Sequence, residues 1–126
     1  MVIDLLIKAT NFVILIFQSV KDKEEKDKEK ISFLLEKISE TLENVAMSLE
    51  KNEYPHQKCE EMRFYSQELI SSVDGILKKE VLDELNQSLM NATELERLYA
   101  ERNQDSINQI SVCAGKFKAM SVLIKT

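Results

Sequence analysis

ISFLLEKISETLENVAMSLE, residues 31 to 50, decides the fold. Its apolar residues Ile31, Leu35, Ile38, Leu42, Val45 and Leu49 are spaced alternately four and three apart, the seam of an α-helix whose one face is buried along its whole length. A strand would need alternation with period two, which this stretch lacks. The seam predicts a helix over residues 24 to 52, the longest in the chain.

Composition outside this stretch points the same way. The 126 residues contain two glycines, Gly75 and Gly115, and one proline, Pro55. A fold of many tight turns needs more of both, so the chain must be built from a few long helices. Its length suits one domain with a core of its own. Net charge is −5 and no stripe of lysine and arginine runs along any predicted helix, which excludes nucleic acid as a main partner. Cys59 and Cys113 stand far apart without CxxC spacing and read as small buried hydrophobes in a reducing compartment, with a helix-to-helix disulfide as the alternative.

Before the seam lies VIDLLIKATNFVILIFQSV, residues 2 to 20, running directly into KDKEEKDKEK, residues 21 to 30. The apolar stretch is a poor secretory signal, because Asp4 stands where a positive charge belongs and no small-residue cleavage site follows. Asp4, Lys8, Asn11 and Gln18, with Leu15 between the last two, form a narrow stripe on one face of a helix. The other faces carry Ile3, Leu6, Ile7, Val13, Ile14, Ile16, Phe17 and Val20. A helix with so wide an apolar arc is either wedged among others, where it would be the most buried helix of the bundle, or able to enter a bilayer. Its 19 residues would reach about 28 Å, near the hydrocarbon thickness. The charged run places acids four residues before lysines, as in Asp22 and Lys26, and reads as a solvated helix start.

After the seam, Asn52-Glu53-Tyr54-Pro55 breaks the helix and Pro55 opens the next. That third helix is expected over 56 to 77, with Cys59, Met62, Tyr65, Ser66, Leu69, Val73 and Ile76 inward. Val81, Leu82, Leu85, Leu89, Ala92, Leu95, Leu98 and Tyr99 mark a fourth helix over 79 to 101. Ile110, Cys113, Phe117, Met120 and Ile124 mark a fifth over 104 to 124, capped by Asn103 or Asp105. The capping-box pattern at Thr93-Glu94-Leu95-Glu96 is a rival break, so the division near 92 or near 103 stays open. The expected fold is all-α: an antiparallel helical bundle of four long helices plus a hydrophobic amino-terminal helix. The last helix has no stop signal, so residues 1 to 126 are expected to be the amino-terminal domain of a longer protein.

Chemistry is scarce. His56 and Cys59 form HxxC, two ligands where a structural zinc site needs four. No Glu-x-x-His pair, glycine-rich phosphate loop or nucleophile with a base is evident, so neither catalysis nor a cofactor is expected.

The order of a greasy first helix, a charged link, the ISFLLEKISETLENVAMSLEK helix, and YPHQKCEEMRFYSQELISSVDGIL after the turn resembles the HeLo-like and Bell cell-death domains. It is similar in layout to the amino-terminal bundle of the mixed-lineage-kinase-like necroptosis effector. The resemblance implies a cytoplasmic resting bundle joined to a regulatory or signalling region. On clustering into a homo-oligomer, its first helix would enter membrane lipid at the inner face of the cell membrane and permeabilise it. The chain departs from the necroptosis bundle in being net acidic, with Lys8 the single lysine of the first helix, so apolar insertion would have to carry the affinity. The residue reading leaves a second class open, a helical adaptor or oligomerisation domain that uses the seam from Ile31 to Leu49 on a partner helix.

Overall fold

The computed structural model describes residues 2–20, 22–92 and 95–125. Regular structure among them is helical: α1 Val2–Val20, α2 Glu25–Glu50, α3 His56–Val73, α4 Lys79–Ala92, α5 Leu95–Ala100 and α6 Gln104–Lys125. The long helices form a closed ring. α2 packs between α6 and α3, α4 follows α3, and α1 closes the ring between α4 and α6. The core lies inside it, with Phe117, Ile16, Leu35, Ile38, Leu69, Leu85 and Leu89 fully buried.

Local chemistry accounts for most helix ends. α2 begins with Glu25 and Asp27 at the positive end of its dipole. It ends where Asn52 takes a left-handed φ of 58°. There the Glu53 N–H donates to Ser48 O at 2.8 Å and the Asn52 N–H to Leu49 O at 3.1 Å, closing the last carbonyls. The third helix stops at Val73, short of the expected 77, because Gly75 adopts φ 86° and the chain turns back on the Val73 carbonyl. Leu77 still reaches the core from that turn. The stretch expected as one helix over 79 to 101 is two, α4 and α5. Both candidate breaks are therefore used; Thr93 and Glu94 themselves lie outside the described residues. Of the two candidate caps it is Asn103 whose Oδ1 accepts the Ser106 N–H at 2.8 Å.

The α2–α6 contact is the most extensive in the bundle. On α2, Ser32, Ser39 and Ala46 recur every seven residues beside the apolar seam, and on α6 Ile107, Ala114 and Ser121 do the same. Ser32 Oγ donates to Ser121 O at 2.7 Å while Ser121 Oγ donates to Ser32 O at 2.9 Å. One heptad on, Ser39 Oγ donates to Ala114 O at 2.7 Å. One helix counts up as the other counts down, so these two helices run antiparallel. A hydroxyl can reach the facing backbone only when no larger side chain separates the helices, so this register requires small residues at Ser32, Ser39, Ala114 and Ser121.

Two groups of surface contacts frame the pair. At one end Tyr99 stacks edge-on against Tyr54 at 5.1 Å and the Arg102 guanidinium lies 3.8 Å above the Tyr99 ring. Along the outside, Lys118 Nζ meets Glu36 at 2.8 Å and Lys125 Nζ meets it at 3.8 Å. The hydrogen bond from Lys118 holds the Glu36 carboxyl below the ordinary carboxylate range and raises the lysine in turn. Lys118 is exposed and Glu36 half-buried at the surface, so this pairing locates the helices more than it stabilises them.

The seam of small residues gives a graded expectation. Ser39→Ala should lower stability by about 0.5–1.5 kcal/mol, the net value of one hydrogen bond. Ser39→Leu should cost more, about 1–3 kcal/mol, by forcing α2 and α6 apart. Urea unfolding of the two variants checks the order; equal losses would mean that the spacing of the helices is not set at this contact.

Candidate functional site: the amino-terminal helix in its groove

In α1, Leu6, Ala9, Thr10, Val13, Ile16 and Val20 are buried, and Ile7, Phe12 and Phe17 are half-buried against the core. Asp4, Lys8, Asn11, Leu15 and Gln18 are exposed, as is Ile14 at 48%. The side chain of Ile3 lies outside the described residues. α1 is thus a wall of the ring with a wet outer seam and not the most buried helix of the bundle. Four polar side chains on one face would each need a partner if enclosed, and leaving that face in water avoids the cost.

The groove that receives α1 is made by α4 and α6, with α5 touching its edge. Its floor is apolar, and its polar groups are satisfied. Thr10 Oγ1 donates to the Leu6 carbonyl at 2.8 Å, the usual way for a threonine to sit inside a helix. The Thr10 hydroxyl lies near enough to the Cys113 thiol of α6 to pull that thiol's pKa down, so α1 and α6 approach each other at position 10. At the carboxyl end of α1, a surface cleft runs between Leu15 and Ser19 on one side and Ile76, Leu77, Lys78 and Val81 on the other. Burying Leu6, Val13, Ile16 and Val20 contributes about 1.5–3 kcal/mol each before ordering costs, enough to seat the helix firmly.

No protein-family model, curated protein or solved structure matches the chain. What this surface can do therefore has to be argued from its own residues.

All six seam residues, Ile31, Leu35, Ile38, Leu42, Val45 and Leu49, are buried within the single chain. His56 is exposed while Cys59 is buried, so the HxxC pair does not converge. Among the described residues no group of three or more histidine, cysteine or acidic side chains could hold a metal. Nor, among them, is any helix long and apolar enough to cross a membrane. Ser66 of α3 is fully buried and its hydroxyl has no hydrogen-bond partner, but it faces the core and lines none of the surface clefts described above.

Reading apolar periodicity alone passed over Ala9 and Thr10, which let α1 lie close to α6, and the serines and alanines of the α2–α6 contact. Their signal was present: Ser32, Ser39 and Ala46, like Ala114 and Ser121, repeat every seven residues. Small residues in heptad register mark close helix approach as surely as leucines mark a core.

Burial pushes the Cys59 thiol up to about 11. It pushes Cys113 up as well, against the opposing pulls of Thr10 and Lys116. A raised thiol pKa leaves stability at its full value below the unfolded thiol's pKa, about 8.5, and removes it as pH rises through the folded value. At pH 8 both thiols should react with a soluble disulfide reagent on the order of 100-fold more slowly in the folded protein than in urea. The unfolding midpoint of a Cys59→Ala variant should fall less than that of the parent between pH 8 and pH 10.5. Rapid labelling of both thiols in the folded chain would contradict their placement.

Proposed function

We propose that this chain is a membrane-permeabilising, regulated cell-death effector domain of the HeLo-like and Bell kind, resting as an antiparallel bundle in the cytoplasm. Its α1 leaves the α4–α6 groove after oligomerisation and inserts into the inner face of the cell membrane. The observation that carries the reading is the placement of α1. It packs mainly against α4 and α6, with α5 at its edge, and it takes no part in the α2–α6 and α2–α3 contacts. The face it would uncover, Leu6, Val13 and Ile16 with Ile7, Phe17 and Ile14 beside them, is apolar enough to exchange one greasy environment for another at small net cost.

Clustering has a physical part in this scheme. The seam of Lys8, Asn11 and Gln18 is wet in the resting chain and would lose that water against lipid. Several copies that turn these seams toward one another can satisfy them together, which a single copy cannot do. The regulatory or upstream signalling region that the resemblance implies would act by bringing copies together, raising their local concentration.

An adaptor using Ile31 to Leu49 on a partner helix would need that seam outside the bundle. Its burial inside one chain supports the membrane reading over that alternative.

Ile14→Glu is the informative substitution, because Ile14 is half exposed and a charge there leaves the resting fold intact, whereas Leu6→Glu would also unfold it. Fused to a forced oligomeriser, the parent chain should release dye from liposomes of phosphatidylserine and phosphatidylcholine. The Ile14→Glu form should release at least tenfold less at the same helix content by circular dichroism. Equal release by the two, or none by the clustered parent, would remove α1 as the executing element.

A further inference from the structure

The junctions between helices differ in how they are held. α2 is followed by Asn52 with its left-handed φ and then by Pro55; α3 is followed by Gly75; α6 begins on the Asn103 cap. The junction between α1 and α2 has none of these. The sequence KDKE, residues 21 to 24, contains no glycine, proline or asparagine, and Glu24, which stands at the cap position of α2, makes no side-chain capping bond. Asp22, Lys23 and Glu24 are all exposed. Backbone closes the turn instead, the Lys23 N–H donating to the Val20 carbonyl at 2.9 Å.

Locally, the same residues favour the opposite. Continued as helix, Asp22 would face Lys26 and Glu24 would face Lys28, both in the favourable acid-first order. The unpartnered N–H groups of the first turn of α2 would find carbonyls in the turn before. Joined end to end, Val2 to Glu50 would make one helix about 73 Å long. In that form α1 points away from its own groove and cannot fill it.

We propose that α1 is exchanged between copies: the junction straightens, α1 and α2 become one continuous helix, and α1 seats in the α4–α6 groove of a second copy. The partner of that groove is already on view in the resting chain. Leu6, Ala9, Val13, Ile16 and Val20 fit it within one copy and make the same contacts between two. Burial is conserved in the exchange. The balance therefore rests on the helical junction gained against the association entropy lost, and concentration tips it. Exchange would supply the clustering step, yet it stands on the junction and the groove alone, whether or not a membrane is the target.

Position 10 offers the test, since Thr10 lies near enough to Cys113 across the groove to shift its titration. In a Cys59→Ala background, Thr10→Cys can pair with Cys113 within a chain or, after exchange, between chains. Glu24 has φ −64° and ψ 151°, so Glu24→Pro fits the resting junction, and its carbonyl still accepts from Asp27 and Lys28. Proline there blocks the continuous helix. Chains would be equilibrated from micromolar to millimolar concentration, oxidised, and run on a non-reducing gel, with Glu24→Ala as the control. Expected are covalent dimers that increase with concentration in the parent and in Glu24→Ala, and at least tenfold fewer in Glu24→Pro, which retains the within-chain bond. Monomer bands alone in all three chains at every concentration, or as much dimer in Glu24→Pro as in Glu24→Ala, would overturn the proposal. Exchange without dye release from clustered chains would leave it standing and remove the membrane reading; dye release with no exchange would do the reverse.

Discussion

The reciprocal hydrogen bonds between Ser32 and Ser121, with Ser39 reaching the Ala114 carbonyl, hold the centre of this structure. They require α2 and α6 to lie close, fix their register, and set their antiparallel sense. The remaining long helices take their places from that pair: α3 lies on α2, α1 lies on α6, and α4 closes the ring between α3 and α1. A polar contact governs a bundle otherwise packed by leucine, isoleucine and valine, because dispersion tolerates sliding by a turn whereas a hydroxyl aimed at one carbonyl does not.

α1 is attached to this frame differently. It contributes apolar area to the core but carries no contact that sets the register of the others, and its outer seam stays in water. Such a helix can be strongly bound and still be separable, since binding and architecture rest on different residues. Its affinity comes from Leu6, Val13, Ile16 and Val20, and the architecture comes from Ser32, Ser39, Ala114 and Ser121. The proposed release of α1, to lipid or to a second copy, would draw on this division.

Much of the fold was legible beforehand. The four-and-three spacing of Ile31 to Leu49 announced a buried helical face, and Pro55, Gly75 and Asn103 announced where helices would change direction, although Gly75 ended α3 earlier than the apolar pattern suggested. Asn52 opened the expected break at Asn52-Glu53-Tyr54-Pro55, and asparagine is one of the few residues that readily take the left-handed turn it adopts here. The candidate site was half legible. The polar stripe of Asp4, Lys8, Asn11 and Gln18 marked one face of α1, but a stripe with so much apolar surface around it suits either the axis of a bundle or its wall.

By itself the sequence determined that the chain is helical, which face of each long helix is apolar, and where three of the breaks fall, since these follow from residue spacing and from backbone preferences a few residues wide. Only the tertiary structure decided which helices are neighbours and that α1 forms a wall between α4 and α6. The physical reason is range. Helix propensity, caps and turns act across one or two turns of chain, whereas the groove that seats α1 is built from residues about sixty to a hundred positions away.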